Sequence, residues 1–102
     1  MIGKLIGKNN KGEIVEISTW CNDCELTQII DISINSISLT CHNNQLITLP
    51  KLPKGLRILW CFNNKIKKLP KLSNNLIQVC CDIECLEDYM FKMKNTDFHF
   101  YC

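Results

Sequence analysis

Two sets of side chains alternate along several short stretches of the chain, most clearly around Trp60. There Leu59 and Cys61 alternate with Ile58, Trp60 and Phe62. Alternation with a period of two indicates a β-strand that presents its two sets of side chains to opposite faces. Because a similar alternation recurs every twenty residues, the pattern predicts short parallel strands that lie side by side.

The twenty-residue spacing is visible in three columns when the chain is written in rows of twenty. One column holds only cysteine, the second holds asparagine at its centre, and the third holds leucine or isoleucine. The columns are Cys21, Cys41, Cys61 and Cys81; Cys24, Asn44, Asn64 and Glu84; and Leu26, Leu46, Ile66 and Leu86. We predict that the first two columns, apart from Glu84, form a structural ladder. In it, small apolar thiols fill the core and carboxamides satisfy backbone groups at the turns.

Proline shapes the segments between the predicted strands. Leu49-Pro50-Lys51-Leu52-Pro53 cannot be helical, since each proline fixes its own φ and favours an extended conformation in the residue before it. These segments are therefore expected to return along an extended or polyproline-like path.

The segment from Leu56 to Ile66 resembles a known family. It reads Leu56-x-x-Leu59-x-Cys61-x-x-Asn64-x-Ile66, which matches the leucine-rich-repeat pattern LxxLxLxxNxL with cysteine in place of one leucine. With its Leu-Pro-x-Leu-Pro segment it is similar to the short type known from bacterial effector proteins, over roughly residues 16–90. The resemblance implies an α/β-type leucine-rich-repeat solenoid and a noncatalytic role in protein–protein interaction. The absence of alanine and the abundance of Ile, Asn and Lys look like an AT-rich genome, such as those of large amoeba-infecting DNA viruses.

The two ends of the chain depart from the twenty-residue pattern. Residues 1–17 are interpreted as a capping β-hairpin around Asn9-Asn10-Lys11-Gly12, residues 18–90 as about four repeat units, and residues 91–102 as a cap or terminal strand. Helical spacing predicts a helix over residues 84–94. A terminal strand with an open edge predicts pairing with a second copy of the chain, and hence a homodimer.

Composition and charge narrow the class of protein. A chain of 102 residues with 46% apolar residues and a net charge of +2 is expected to form one small domain, and it is neither disordered nor supercharged. The longest uninterrupted apolar stretch, Ile58–Phe62, is too short to cross a membrane, and the N-terminus has no signal-peptide pattern. We therefore expect a cytoplasmic protein with reduced thiols, in the host cytoplasm if the protein is viral.

The strand face opposite the cysteine column carries large aromatic side chains. The inward columns already supply a core, so these rings are expected on a concave surface that binds another protein. The alternative is that the rings cover each other or the hairpin. The predicted partner-binding residues are Trp20, Asn22, Thr40, His42, Ile58, Trp60, Phe62, Gln78 and Asp82.

Cysteine spacing also suggests chemistry. Cys21-x-x-Cys24 has the spacing of an oxidoreductase dithiol, and together with Cys80-Cys81-x-x-x-Cys85 and a histidine it could supply zinc ligands. The twenty-residue pattern accounts for five of the eight cysteines without any metal. We therefore predict no catalytic residue, no metal and no cofactor, and keep a zinc-binding or thiol-redox module as the alternative function.

A basic stretch without one acid runs through the middle of the chain. It comprises Lys51, Lys54, Arg57, Lys65, Lys67, Lys68 and Lys71. Such a stretch is typical of a nucleic-acid patch. However, Asp31 lies one period before Lys51, and Glu87 and Asp88 lie one period after Lys67 and Lys68. Neighbouring opposite charges favour a solvated face, so no nucleic-acid partner is predicted.

Overall fold

The computed structural model describes residues 3–72, 75–82 and the backbone of 97–100. This part of the chain contains seven β-strands in two sheets. The strands are β1 (Lys4–Asn9), β2 (Ile14–Ser18), β3 (Leu26–Ile32), β4 (Ser38–Thr40), β5 (Ile58–Trp60), β6 (Gln78–Cys81) and β7 (Asp97–Phe100). The first three form one sheet in the order β2-β1-β3, and the other four form a second sheet in the order β4-β5-β6-β7.

The first sheet is antiparallel and is built on a hairpin. β1 pairs with β2 from Lys4↔Ser18 to Lys8↔Ile14, and the turn lies at Asn9–Gly12, where the sequence pattern placed it. Asn9 Oδ1 closes this turn by accepting hydrogen bonds from two backbone N–H groups, at 3.0 Å each. Gly12 has a φ of 80°, a conformation that glycine adopts without strain. The other side of β1 pairs with β3.

Ser36, which occupies the position that Leu56 holds twenty residues later, lies near the place where the start of β1 meets the end of β3. Ser36 is completely buried, and its Oγ lies 3.0 Å from Ser33 Oγ. Ser33 Oγ in turn accepts a hydrogen bond from the backbone N–H of Lys4 at 3.2 Å. A Cβ at Gly3 would overlap the hydroxyl of Ser36, so a side chain does not fit at Gly3 without displacing Ser36.

The second sheet is parallel, and its central pairs join residues twenty positions apart. Ser38 pairs with Ile58, and Ile58 pairs with Gln78. The spacing changes at the next strand, because Gln78 pairs with Asp97, nineteen positions away. On the other side of β4, the described pairing is a single parallel bridge from Trp20 to Thr40.

Both sheets contribute to one hydrophobic core. Leu5 of β1 and Leu26 of β3 belong to the same buried cluster as Leu39 and Leu59 of the parallel strands. Cys21, Cys41, Cys61 and Cys81 are also part of this cluster, each 0% exposed. The cysteine column therefore packs as small apolar side chains.

The prediction of an α/β-type leucine-rich-repeat solenoid is wrong. The residues described contain no helix, and residues 26–32 form a strand of an antiparallel sheet instead of an extended return segment. The radius of gyration is 12.5 Å, close to the roughly 13 Å of a compact domain of about 100 residues. The physical reason is that β3 pairs with β1, which closes the start of the chain into its own sheet. The helix predicted over residues 84–94 lies outside the described residues.

Candidate functional site

A pocket lined by aromatic and small polar side chains opens on one face of the parallel sheet. Its volume is about 340 Å³. We call it the aromatic pocket, and its described lining is Trp20, Asn22, Ser38, Thr40, His42, Ile58 and Trp60. β4 and β5 supply four of these residues, since alternate side chains of a strand point to the same face. Trp20 joins them because its backbone bridges Thr40.

Both tryptophans are held by hydrogen bonds to the next strand. Trp20 Nε1 donates to Ser38 Oγ at 2.8 Å, and Trp60 Nε1 donates to Gln78 Oε1 at 2.9 Å. These bonds satisfy the only polar atom of each indole and fix the orientation of both rings. Trp20 is nevertheless 56% exposed, so its ring surface faces solvent.

His42 sits against two aromatic rings. It stacks on Phe62, with ring centroids 4.6 Å apart and planes inclined by 15°, and it lies tilted against Trp60 at 5.9 Å. Both separations are typical of favourable aromatic pairs. His42 Nδ1 is buried and has no hydrogen-bond partner among the residues that the structure describes. The imidazole is therefore fixed in place with one polar atom unsatisfied.

The structure places six of the nine predicted partner-binding residues around the aromatic pocket and three elsewhere. Phe62 stacks behind His42, and Gln78 is committed to Trp60. Asp82 accepts hydrogen bonds from the backbone N–H groups of Asn63 and Asn64, at 3.0 and 3.3 Å. Its carboxylate therefore closes a turn and does not line the pocket.

Ser38 is a lining residue that the sequence-based set omitted. It lies on the same strand face as Thr40, two positions away, so the two-residue alternation of a strand would have identified it as a lining residue. By the alternation of β6, Cys80 lies on the same strand face as Gln78, but it is not among the lining residues of the pocket. Its side chain is only 1% exposed.

Asn44 satisfies backbone groups on two successive turns. Its Oδ1 accepts from the N–H groups of Cys24 and Leu26, at 3.0 and 2.9 Å. Its Nδ2 donates to the carbonyl groups of Cys21 and Cys41, at 3.0 and 2.9 Å. A single carboxamide thus joins the turn after Trp20 to the turn after β4, and it holds the base of the aromatic pocket.

Asn64 repeats this arrangement one turn later. Its Oδ1 accepts from Leu46 N–H at 2.9 Å, and its Nδ2 donates to the carbonyl groups of Cys41 and Cys61, at 3.0 and 3.1 Å. Asn43 and Asn63 precede the two ladder residues and have φ values of 58° and 55°. Asparagine tolerates this left-handed conformation better than most residues.

Cys24 differs from the buried thiol that the sequence pattern predicted. It is exposed, and its Sγ donates to the carbonyl of Asn22 at 3.4 Å. The preceding part of the chain is the hairpin, which pairs with β3 and leaves the turn at residues 22–25 on the outside. The backbone N–H of Cys24 still bonds to Asn44, so the residue keeps its place in the ladder.

The thiols of the Cys21-x-x-Cys24 pair are not activated. Burial, together with the neighbouring Cys24 thiol, raises the pKa of Cys21 to about 12. Burial and the charge of Asp23 raise the pKa of Cys24, and burial together with Cys21 raises that of Cys41. Redox catalysis needs a thiolate, which a lowered pKa would favour. None of the six described cysteines forms a disulfide.

Within residues 3–72 and 75–82, no three His, Cys, Asp or Glu side chains converge as a metal site would require. The described portion of the chain also contains no helix of the length and apolar character that crossing a bilayer demands.

Comparison of the chain with protein-family models, with curated proteins and with solved structures finds no match. A function for this protein therefore has to be argued from the chemistry of its own residues.

Proposed function

We propose that this protein is a noncatalytic binding module whose aromatic pocket receives an apolar side chain from another protein. The observation that carries the proposal is the exposure of Trp20, which is 56% although its indole N–H is already bonded to Ser38. The core beneath is complete without this ring, since Leu39, Leu59 and Cys41 are each 0% exposed. A large, fixed, exposed ring of this kind is typical of an interaction hot spot.

The surface that Trp20 leaves exposed is large enough to support the proposal. A tryptophan side chain buries on the order of 150–250 Å², and about half of that remains available on Trp20. At roughly 25 cal/mol per Å² of apolar surface, covering it contributes about 2–3 kcal/mol. This is the size of effect that separates a hot-spot residue from its neighbours.

The chemistry of the pocket indicates the kind of partner. Aromatic rings and Ile58 line it together with the small polar side chains of Asn22, Ser38 and Thr40. An extended peptide with one bulky apolar residue and an adjacent backbone group matches both features. The proposed partner is therefore a protein that offers such a segment, and we propose that the two proteins meet in the cytoplasm. The proposal includes neither a nucleic acid nor a membrane as partner.

Selection from a library of phage-displayed peptides tests the proposal, because such a library offers bulky apolar residues in many sequence contexts. Peptides selected on the wild-type chain are expected to bind Trp20→Ala at least tenfold more weakly, because the variant loses the exposed ring. Ile34→Ala is the matched control, since Ile34 is 85% exposed and does not line the pocket. It should bind the same peptides within twofold of wild type.

Two results would count against the proposal. One is equal peptide binding by Trp20→Ala and wild type, and the other is equal weakening by Ile34→Ala. Circular dichroism of each variant checks that the fold is intact. Trp60→Ala serves as a second variant on the opposite wall, although it also removes the donor to Gln78.

We also propose that the chain pairs with a second copy along β7. In the described residues, β7 is the last strand of the parallel sheet, and such an edge carries unpaired backbone groups. Sedimentation velocity of the wild-type chain measures this directly. A mass of one chain at micromolar concentration would contradict the homodimer and leave the pocket unaffected.

A further inference from the structure

A second cleft lies among the segments that connect the parallel strands, away from the residues of the aromatic pocket. Its volume is about 790 Å³, and its described lining includes three lysines, Lys51, Lys54 and Lys71, and two leucines, Leu52 and Leu72. We call it the basic cleft. Lys51 and Lys54 lie between β4 and β5, whereas Lys71 lies between β5 and β6. Two successive connecting segments therefore form one concave site.

The cleft has an apolar floor and a cationic rim. Leu52 and Leu72 are 8% and 6% exposed, so they belong to the core and show only an edge to the cleft, while Lys51 and Lys71 are exposed. Asn75 Nδ2 donates to the carbonyl of Lys54 at 2.7 Å. This hydrogen bond ties one connecting segment to the other and fixes the backbone around the cleft.

The positive charge of the rim is not balanced by the acid that the sequence pattern assigned to it. Asp31 was expected to face Lys51, but it is not among the described residues that line the cleft, and its Oδ1 accepts a hydrogen bond from the N–H of Ile32 at 3.0 Å. The described lining of the cleft includes no acidic residue. Like charges that line one cleft repel each other, and a bound anion would offset that repulsion.

We propose that the basic cleft binds a small amphipathic anion. A phosphate or carboxylate head would lie between the ammonium groups of Lys51 and Lys71, and an apolar body would lie along Pro70 and the exposed edges of Leu52 and Leu72. Lysine binds phosphate as a compact point charge, and ligand sites in proteins have volumes of roughly 300–1,000 Å³. The cleft has lysines in its lining and a volume within this range. It shares no described lining residue with the aromatic pocket, so this proposal is independent of the peptide site proposed there.

Isothermal titration of the full chain with octyl phosphate, below the concentration at which micelles form, tests this proposal. The double variant K51Q/K71Q is expected to bind at least tenfold more weakly than wild type. The matched control K67Q/K68Q removes the same two charges from exposed positions that do not line the cleft. It should bind within twofold of wild type. No binding by wild type, or equal weakening in both variants, would overturn the proposal.

Further probes test the anionic head and the apolar body of the ligand separately, and they distinguish its possible sources. Inorganic phosphate and octan-1-ol should each bind at least tenfold more weakly than octyl phosphate, because each fills only half of the site. Equal binding of octan-1-ol would indicate an apolar groove and overturn the proposal. Capture on phosphatidic acid vesicles, lost in K51Q/K71Q, would support it with a lipid head group as the source.

The test also separates the proposed ligand from nucleic acid and from a folding defect. Single-stranded RNA that binds more tightly than octyl phosphate, and is weakened equally by both double variants, would indicate a general basic surface and overturn the proposal. If K51Q/K71Q unfolds at a lower temperature than wild type, K51R/K71R restores both charges. The arginine variant should then recover binding to within threefold of wild type, and failure to recover would count against the anion site.

Discussion

Cysteine shows how the surroundings of a residue decide its chemistry. Cys21 and Cys24 are three positions apart, yet the first is completely buried and the second is exposed. Burial is the main cause of the raised pKa at Cys21, and a backbone hydrogen bond to its own sulfur offsets part of the increase. A buried thiol therefore acts here as a small apolar side chain, because the thiolate that would react or bind metal is disfavoured.

The raised pKa of Cys21 predicts a loss of stability in alkaline solution. In the unfolded chain the thiol ionises near 9.0, whereas in the folded chain it does so near 12. The folded state therefore binds more protons in this interval, and the free energy of unfolding falls as the pH rises through it. Each such group contributes a slope of about 1.4 kcal/mol per pH unit.

Urea unfolding at pH 8, 9.5 and 10.5, under reducing conditions, measures this slope. Cys21→Ala should lose stability less steeply with pH than wild type, because the titrating group is gone. Cys24→Ala keeps the buried thiol and should retain most of the slope. Identical pH dependence in wild type and Cys21→Ala would show that the Cys21 thiol does not carry the effect.

The short strands of the parallel sheet depend on the turns that follow them. β4 and β5 have three residues each, which is fewer than the five or six of a typical strand. Asn44 and Asn64 compensate by bonding backbone groups of successive turns, and Asp82 caps the turn at Asn63. Side-chain hydrogen bonds at the turns thus maintain the register that such short ladders cannot hold alone.

Replacing Asn44 with alanine should destabilise the protein by about 2–4 kcal/mol, since it leaves several backbone groups without a partner at about 1–3 kcal/mol each. Urea unfolding at neutral pH measures the change. Gln45→Ala is the control, because Gln45 is the next residue and its side chain is exposed. The control should stay within about 0.5 kcal/mol of wild type. Equal stability of the two variants would contradict the structural role of the asparagine.

The two sheets behave as one folding unit because they share a core. Leu5 on β1 and Leu59 on β5 are members of the same buried cluster, at 1% and 0% exposure. The molecule measures 38 × 28 × 17 Å, too small for two separate cores. Damage to the antiparallel sheet should therefore reach the aromatic pocket, which lies on the parallel one.

Leu5→Ala tests this coupling and should destabilise the protein by about 2–5 kcal/mol, the usual range for a buried leucine. In a Trp20→Phe background, the fluorescence of Trp60 reports on the parallel sheet alone. Its unfolding midpoint in urea should fall together with the midpoint from circular dichroism. Ile34→Ala, at an 85% exposed position, should move neither. A Trp60 transition that stays at its wild-type midpoint would mean that the sheets unfold independently.

Much of the parallel sheet and of the aromatic pocket could be predicted from side-chain alternation. The order Ile58, Leu59, Trp60 places two side chains on one face and one in the core, and the twenty-residue spacing matches the register of Ser38 with Ile58. These features depend on residues that are close in sequence or equally spaced along it. The prediction of a solenoid was wrong because equal spacing along the sequence does not show which strand a segment pairs with in the folded chain.

The sequence by itself determined which side chains share a strand face, because the two-residue period of a strand is a local property of the backbone. Only the tertiary structure decided that residues 26–32 pair with β1, that Cys24 is exposed, and that Asp82 closes a turn. It also decided that Lys51, Lys71, Leu52 and Leu72 line one cleft and that Asp31 does not. Each of these outcomes depends on hydrogen bonds and packing between segments far apart in the chain, and local pattern does not encode them.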